Sequence, residues 1–281
     1  MKYLPIVLIV SVFFTSCQKE LSGELWGFEP EPDEDEMQSC YISRISQIDT
    51  INNVSIGYLG VEFNSDFRAT RVEDYDSISL DYIMESNIDY VGDTAWVAGG
   101  MYYVLDPVNR RVKKFVFEDQ VSNPVYNIEV NYTYNGDGYL ISKVAEYVSA
   151  GTNMEITWDS YTWSGGNLIK VVSQTASGDD FEVFFDYHSG IEVKNFFYLF
   201  MDPFDHQFEL AFNFGKKSKN AVKTIWFSGF DENNNPIEFE TTVYNYKLDA
   251  ENQVTSFVVE NNNFASWSLY AGKNQLTYKC R

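Results

Sequence analysis

The chain has 281 residues, 17% of them aromatic, with 41 acidic against 20 basic side chains and a formal net charge of −21. A surface of that sign repels nucleic acid and anionic lipid headgroups, so neither is expected as a direct partner. The two histidines, His188 and His206, form no metal-ligand pair, and no G-x-S-x-G elbow, P-loop or dinucleotide fingerprint occurs.

Residues 1–16 read as an export signal: Lys2 supplies the positive charge, and Leu4 to Phe14 is an apolar run too short to span a bilayer as a helix. Phe14-Thr15-Ser16-Cys17 resembles the lipobox of bacterial lipoproteins, with Phe14 where leucine is usual. The resemblance implies that Cys17 becomes the acylated N-terminus. Gln18-Lys19-Glu20 is similar to the short charged signal that sends some Bacteroidota lipoproteins to the outer face of the outer membrane. Surface exposure is therefore expected in preference to periplasmic residence.

Residues 17–38 form an acidic membrane tether. Within it, Glu29 to Glu36 holds six acids and two prolines in eight positions, a composition that repels itself into an extended form. Fully stretched, the segment from Gln18 to Gln38 reaches about 70 Å. Beyond lipidation two cysteines remain, Cys40 and Cys280, near opposite ends of the body. In an exported protein they form either one disulfide, which would set the first and last strands side by side, or two buried thiols.

Residues 39–281 form the body. Apolar residues there recur at period two, not at helical spacing. Ile78, Leu80, Tyr82 and Met84 alternate with polar neighbours; so do Tyr126, Ile128, Val130, Tyr132 and Tyr134. Asn135-Gly136-Asp137-Gly138 then makes a turn, and Tyr139 to Val148 returns as the second arm of a hairpin. Phe181, Val183, Phe185 and Tyr187 form another strand ahead of a turn at Tyr187 to Gly190, with His188 exposed in it. Phe208, Leu210, Phe212 and Phe214 suggest a further strand, and Leu276, Tyr278 and Cys280 close the chain. The pattern predicts an all-β, antiparallel meander of on the order of sixteen to nineteen strands, closed or nearly closed into a barrel, with a layered or sandwich-like sheet as the alternative. A membrane-spanning barrel would show the same alternation with its faces exchanged.

A loose repeat underlies the alternation: an aromatic pair at i and i+2, a turn, then an aliphatic run. Tyr132/Tyr134 with Leu140 to Val144, Tyr161/Trp163 with Leu168 to Val172, and Tyr244/Tyr246 with Val254 to Val259 are its clearest copies. At these residues the sequence resembles the tyrosine-rich YD repeats of the RHS type. It is also similar to a Bacteroidota lipoprotein family of unknown function that has a porin-like, barrel-shaped β-fold. The resemblance carries no catalytic residue.

Chemistry-bearing candidates are few. Asp202, Asp205 and His206 lie together, and Asp231, Asn233 and Asn235 place oxygens at the first, third and fifth positions of a calcium loop. Pro236 stands where that loop needs glycine and Thr242 where it needs a bidentate glutamate, so calcium is a weak expectation and no cofactor is assigned. Trp96, Trp158, Trp163 and Trp267 are candidates for stacking on sugar rings, each weighed against ordinary packing. The sequence thus reads as a lipid-anchored binding or structural module and not an enzyme. A glycan-binding accessory protein of a nutrient-uptake system and a glycan hydrolase with acidic residues are the alternatives, and a glycan or another envelope protein is the expected partner.

Overall fold

A computed structural model describes residues 40–76, 81–119, 126–149, 152–176, 178, 180–197, 205, 208–230, 235–260 and 271–281. Residues 1–39, which include the expected signal and tether, fall outside these. Sixteen strands alternate up and down: β1 (Cys40–Asp49), β2 (Val54–Phe63), β3 (Ala69–Asp76), β4 (Asp81–Val91), β5 (Thr94–Val97), β6 (Met101–Leu105), β7 (Val112–Asp119) and β8 (Tyr126–Tyr134). They continue as β9 (Leu140–Ser149), β10 (Thr152–Ser164), β11 (Asn167–Thr175), β12 (Phe181–Glu192), β13 (Asn220–Phe230), β14 (Pro236–Leu248), β15 (Val254–Glu260) and β16 (Gly272–Cys280). Every strand pairs with its sequence neighbours, and β1 pairs antiparallel with β16, closing the barrel. Closure leaves no edge on which another chain could add. The layered alternative is thereby excluded.

The seam carries a covalent lock. Cys40 and Cys280 are register partners and form a disulfide across a sequence separation of 240. The β1–β16 ladder holds the termini together without it, so breaking the bond by Cys280→Ser is expected to cost about 2–3 kcal/mol, below the chain-entropy limit. Comparing guanidinium midpoints of oxidised and variant protein measures this.

The aromatic pair of the repeat has a specific use. Its second member, and likewise Tyr187 and Tyr278, lies on an even-numbered strand and donates its polar tip to the backbone carbonyl of an aliphatic residue near the start of the preceding strand. Tyr134 Oη bonds Val112 at 2.7 Å, Trp163 Nε1 bonds Leu140 at 2.7 Å, and Tyr187 Oη bonds Leu168 at 2.6 Å. Tyr246 reaches Val222 at 2.9 Å and Tyr278 reaches Val254 at 2.8 Å. Each ring thus fills the rim of the core while its tip satisfies a carbonyl in otherwise apolar surroundings. The intervening turns share a device too: Asn64, Asp106, Asn135 and Asp249 each accept two backbone N–H groups from residues two to four positions onward. These are Asx turns, and they explain the Asn and Asp that punctuate the sequence.

Inward-facing side chains from nearly every strand join one buried cluster, including Ile45, Val72, Tyr103, Phe115, Val171, Val183 and Phe257. A round barrel of sixteen strands leaves an aqueous lumen. Here part of that space is taken by the connection between β12 and β13. Phe196 and Phe197 pack against Phe257, with centroids 5.5 and 6.2 Å away. Phe208, Phe212 and Phe214 surround Tyr103. Phe208 to Phe214, expected as a strand, is instead a series of turns. The alternation was real but it served a plug that buries rings on several sides. The predicted turn at Tyr187 to Gly190 is likewise corrected: β12 runs on to Glu192, and His188 is half-buried, its Nε2 3.1 Å from the carbonyl of Val243.

The plug is stitched to the hairpin turns at one end of the barrel. Val112 N donates to the carbonyl of Asn213, Lys216 N to Gly138, and Lys219 N to Gly166, at 2.8, 3.0 and 3.0 Å. Glycine is required at Gly215: φ is +93°, and a Cβ would lie 2.6 Å from the carbonyl oxygen of Gly138.

The outward-facing positions of β8 are polar. Asn127, Glu129, Asn131 and Thr133 form the outer face of β8, opposite Val148, Glu146, Val144 and Ser142 of β9. Lys114 pairs with Glu129 across the same surface. A lipid-facing barrel needs an apolar band about 25 Å tall, and on β8 and β9 carboxylates, amides and hydroxyls interrupt any such band.

Candidate functional site

The outer surface of β11 to β14 breaks that polar rule. Register aligns Lys170, Phe184, Trp226 and Glu240 in one row across the four strands. The Phe184 and Trp226 rings lie 5.3 Å apart at 40° to one another. Lys170 Nζ sits 5.0 Å from the Phe184 ring centre and 2.7 Å from Glu182. Adjacent rows bring Glu182, Ser228 and Glu238 to one side and Asp186, Thr224 and Thr242 to the other. The rings floor a half-open depression of about 320 Å³ lined by Phe184, Phe185, Asp186, Thr224, Trp226 and Glu240.

Two aromatic faces supply an apolar floor, and the carboxyl groups beside them supply hydrogen-bond acceptors. The arrangement suits a ligand with one C–H face and several hydroxyl donors. Anions are disfavoured by the carboxylates on both sides. This pair was missed in the sequence although its signal was present: Phe184 stands between Glu182 and Asp186 on the face of β12 that is otherwise polar, and Trp226 occupies the same phase in β13 between Thr224 and Ser228.

Of the tryptophans singled out beforehand, Trp96 faces outward, 41% exposed and stacked 4.5 Å from Tyr102. Trp158 is half-buried on the outer face, its Nε1 donating to Gln174 at 2.7 Å. Trp163 packs 4.4 Å from Tyr139 and serves the rim as described. The three lie on separate parts of the barrel and form no common surface. Trp267, Asp202, His206, Asp231 and Asn233 lie outside the described residues, and Asn235 is exposed just before β14. Among the described residues no group of three metal-ligating side chains converges.

Asp205 has a different role from the one its neighbours in sequence suggested. It is carried by the plug into the barrel interior, where Tyr132 Oη donates to its Oδ1 at 2.5 Å and Lys143 Nζ lies 2.7 Å from its Oδ2. Lys143 and Asp205 are 4% and 1% exposed, so the ion pair is closed to water. Tyr132 and Lys143 are register partners on β8 and β9, and Asp159 on β10 is the partner of Lys143 on its other side. Burial raises the Asp159 carboxyl above its usual range, against the opposing pull of Lys143 and of hydrogen bonds with Ser173 and Tyr161. Burial, and next the Asp205 charge, pushes the Tyr103 and Tyr132 hydroxyls well above the ordinary phenol. Nearby Lys217 and Glu209 form a second ion pair within the plug at 3.0 Å.

No family model matches the sequence, and no curated protein matches it. The fold has solved counterparts. A porin-like protein from Bacteroides vulgatus ATCC 8482 superposes with a TM-score of 0.54 at 14% identity, covering 85% of this chain and 98% of that one. A porin-like protein from Bacteroides uniformis ATCC 8492 gives a TM-score of 0.58 at 16% identity, with the same coverage. At such identities the likeness carries the barrel architecture alone.

Proposed function

We propose that the protein is a lipid-anchored outer-membrane lipoprotein, held at the cell surface, whose barrel acts as a rigid binding module and not as a channel or an enzyme. The observation that carries this reading is the orientation of the sheet. Among the described residues the inward faces are packed by an aromatic core and plug, and outward faces such as that of β8 carry carboxylates and amides, which favours neither a water-filled lumen nor a lipid-facing belt. Attachment must then come from elsewhere, and the lipobox ending at Cys17 with its acidic tether supplies it. The disulfide between Cys40 and Cys280 suits an exported protein. Cys17→Ala is expected to move the protein from the membrane fraction to the soluble fraction without altering its circular dichroism. Retention of the variant on membranes would overturn the anchor.

The depression on β11 to β14 favours a second reading, in which the bound partner is a neutral glycan. One aromatic platform with flanking carboxylates supports a dissociation constant on the order of 1 mM. Titrating a panel of neutral oligosaccharides is expected to change tryptophan fluorescence, and Trp226→Ala is expected to abolish the response. Silence across the panel, or a response unchanged in the variant, would remove this site from consideration.

A further inference from the structure

We propose that Lys143 and Asp205 react with one another to form an intramolecular amide, a covalent strut between the barrel wall and its plug. The inference is independent of what the outer surface binds. Three observations meet at this point. The reacting groups are in contact, Nζ to Oδ2 being 2.7 Å, and both are shut away from water. The second carboxylate oxygen already accepts the Tyr132 hydroxyl at 2.5 Å. A further carboxyl, Asp159, is the cross-strand partner of Lys143 on the same inward face, and burial favours its protonated form.

The chemistry of amide formation needs a neutral amine, a neutral carboxylic acid, an oxyanion stabiliser and a carrier for protons. The pair reaches the neutral state by passing one proton from Lys143 to Asp205 across the 2.7 Å contact. The Nζ lone pair then attacks Cγ of Asp205. The oxyanion develops on Oδ1, where the Tyr132 hydroxyl donates to it. Asp159 relays a proton from Nζ to Oδ2 and ends in the protonation state in which it began. The Nζ–Cγ bond has formed, the Cγ–Oδ2 bond has broken, and Oδ2 leaves as water. No oxidant, reductant or cofactor is required. Proximity supplies most of the drive, since the two groups are held by the fold at an effective concentration that free amines and acids in water do not reach.

The product would fix the plug permanently. Asp205 belongs to the connection between β12 and β13, whereas Lys143 belongs to β9, so the amide would join two parts of the barrel distant in sequence. An exported protein standing off a cell surface gains from such a bond because the strut, unlike the disulfide, resists reductants.

The test is proteolysis and mass spectrometry of the purified, reduced full-length protein. The expected result is a branched peptide joining the Lys143 and Asp205 segments, lighter by one water than the two peptides together, with no cleavage after Lys143 by trypsin. Lys143→Arg is expected to yield the Asp205 peptide unbranched. Recovery of both wild-type peptides separately at full mass, with cleavage after Lys143, overturns the proposal. Asp159→Asn, which folds if its circular dichroism matches wild type, is expected to leave most of the chain unbranched. A variant branched to the wild-type extent would remove Asp159 from the proton path.

Discussion

Asp205→Ala is expected to lower stability by about 3–5 kcal/mol, because it removes the carboxylate that a buried lysine contacts directly. Lys143 is 4% exposed and cannot swing into solvent without opening the sheet or displacing the plug. The same substitution frees Tyr132 Oη from its acceptor, adding about 1 kcal/mol for a buried donor left unpaired. The neighbouring Asp159 can only partly take over: its Ser173 and Tyr161 hydrogen bonds hold it to the wall, and burial raises its carboxyl toward the neutral form. Equilibrium denaturation in guanidinium measures the loss. The double variant Lys143→Met, Asp205→Leu separates its causes, since removing both charges abolishes the desolvation cost and leaves a packed apolar site. It is expected to recover more than half of what Asp205→Ala loses. A double variant as unstable as the single one would mean that the loss comes from the missing link between wall and plug and not from a stranded charge.

That prediction rests on a side chain whose role was hidden in the sequence, and the reason is instructive. Strand phase is local: Tyr126 to Tyr134 announced β8 because a half-buried strand must alternate. The Tyr-x-Tyr repeat and the Asn and Asp turns are local as well, so the hairpins were legible, their number as a range of about sixteen to nineteen strands, and closure as the first of two alternatives. Phe208 to Phe214 alternates equally well yet forms no strand, because nothing in a period-two run states whether its partner is a neighbouring strand or the inside of a barrel. Asp205 was grouped with Asp202 and His206 by adjacency, whereas its actual partners are Tyr132 and Lys143, 73 and 62 positions away. Lys143 itself sat in an apolar phase between Ile141 and Ala145, and a lone cation there was the available sign of a buried anion elsewhere. Phe184 and Trp226 show the converse. Each was an aromatic in a polar phase, visible one strand at a time, but only the register of β12 against β13 makes them a platform. The tryptophans chosen for their flanking residues were chosen by composition, which does not report on facing.

Raising the pH above 10 is expected to unfold the barrel steeply, because its core is closed by phenols. Tyr103 and Tyr132 are fully enclosed, and burial pushes both hydroxyls well above their ordinary value of 10. Tyr90 and Tyr187 are raised to about 12, again chiefly by burial. A folded-state phenol with a raised pKa holds its proton after the unfolded chain has released it. Stability is therefore intact below pH 10 and declines as pH rises through the interval above it, ending near pH 12 for Tyr90 and Tyr187 and continuing further for Tyr103 and Tyr132. Each fully buried tyrosine removes about 1.4 kcal/mol per pH unit over its interval, so Tyr103 and Tyr132 together remove about 3 kcal/mol per unit. A domain of ordinary stability, about 5–15 kcal/mol, is exhausted within a few units on these two alone, and sooner with the rim tyrosines added. Tyrosinate absorbance and circular dichroism followed together check this. The buried class is expected to ionise in one cooperative step coincident with loss of the β signal, and Tyr132→Phe is expected to reduce the slope of that step by about one proton. Smooth titration of every tyrosine near pH 10 with the β signal intact would show instead that water reaches the phenols, and that the interior is open where the packing of Tyr103 among Phe208, Phe212 and Phe214 closes it.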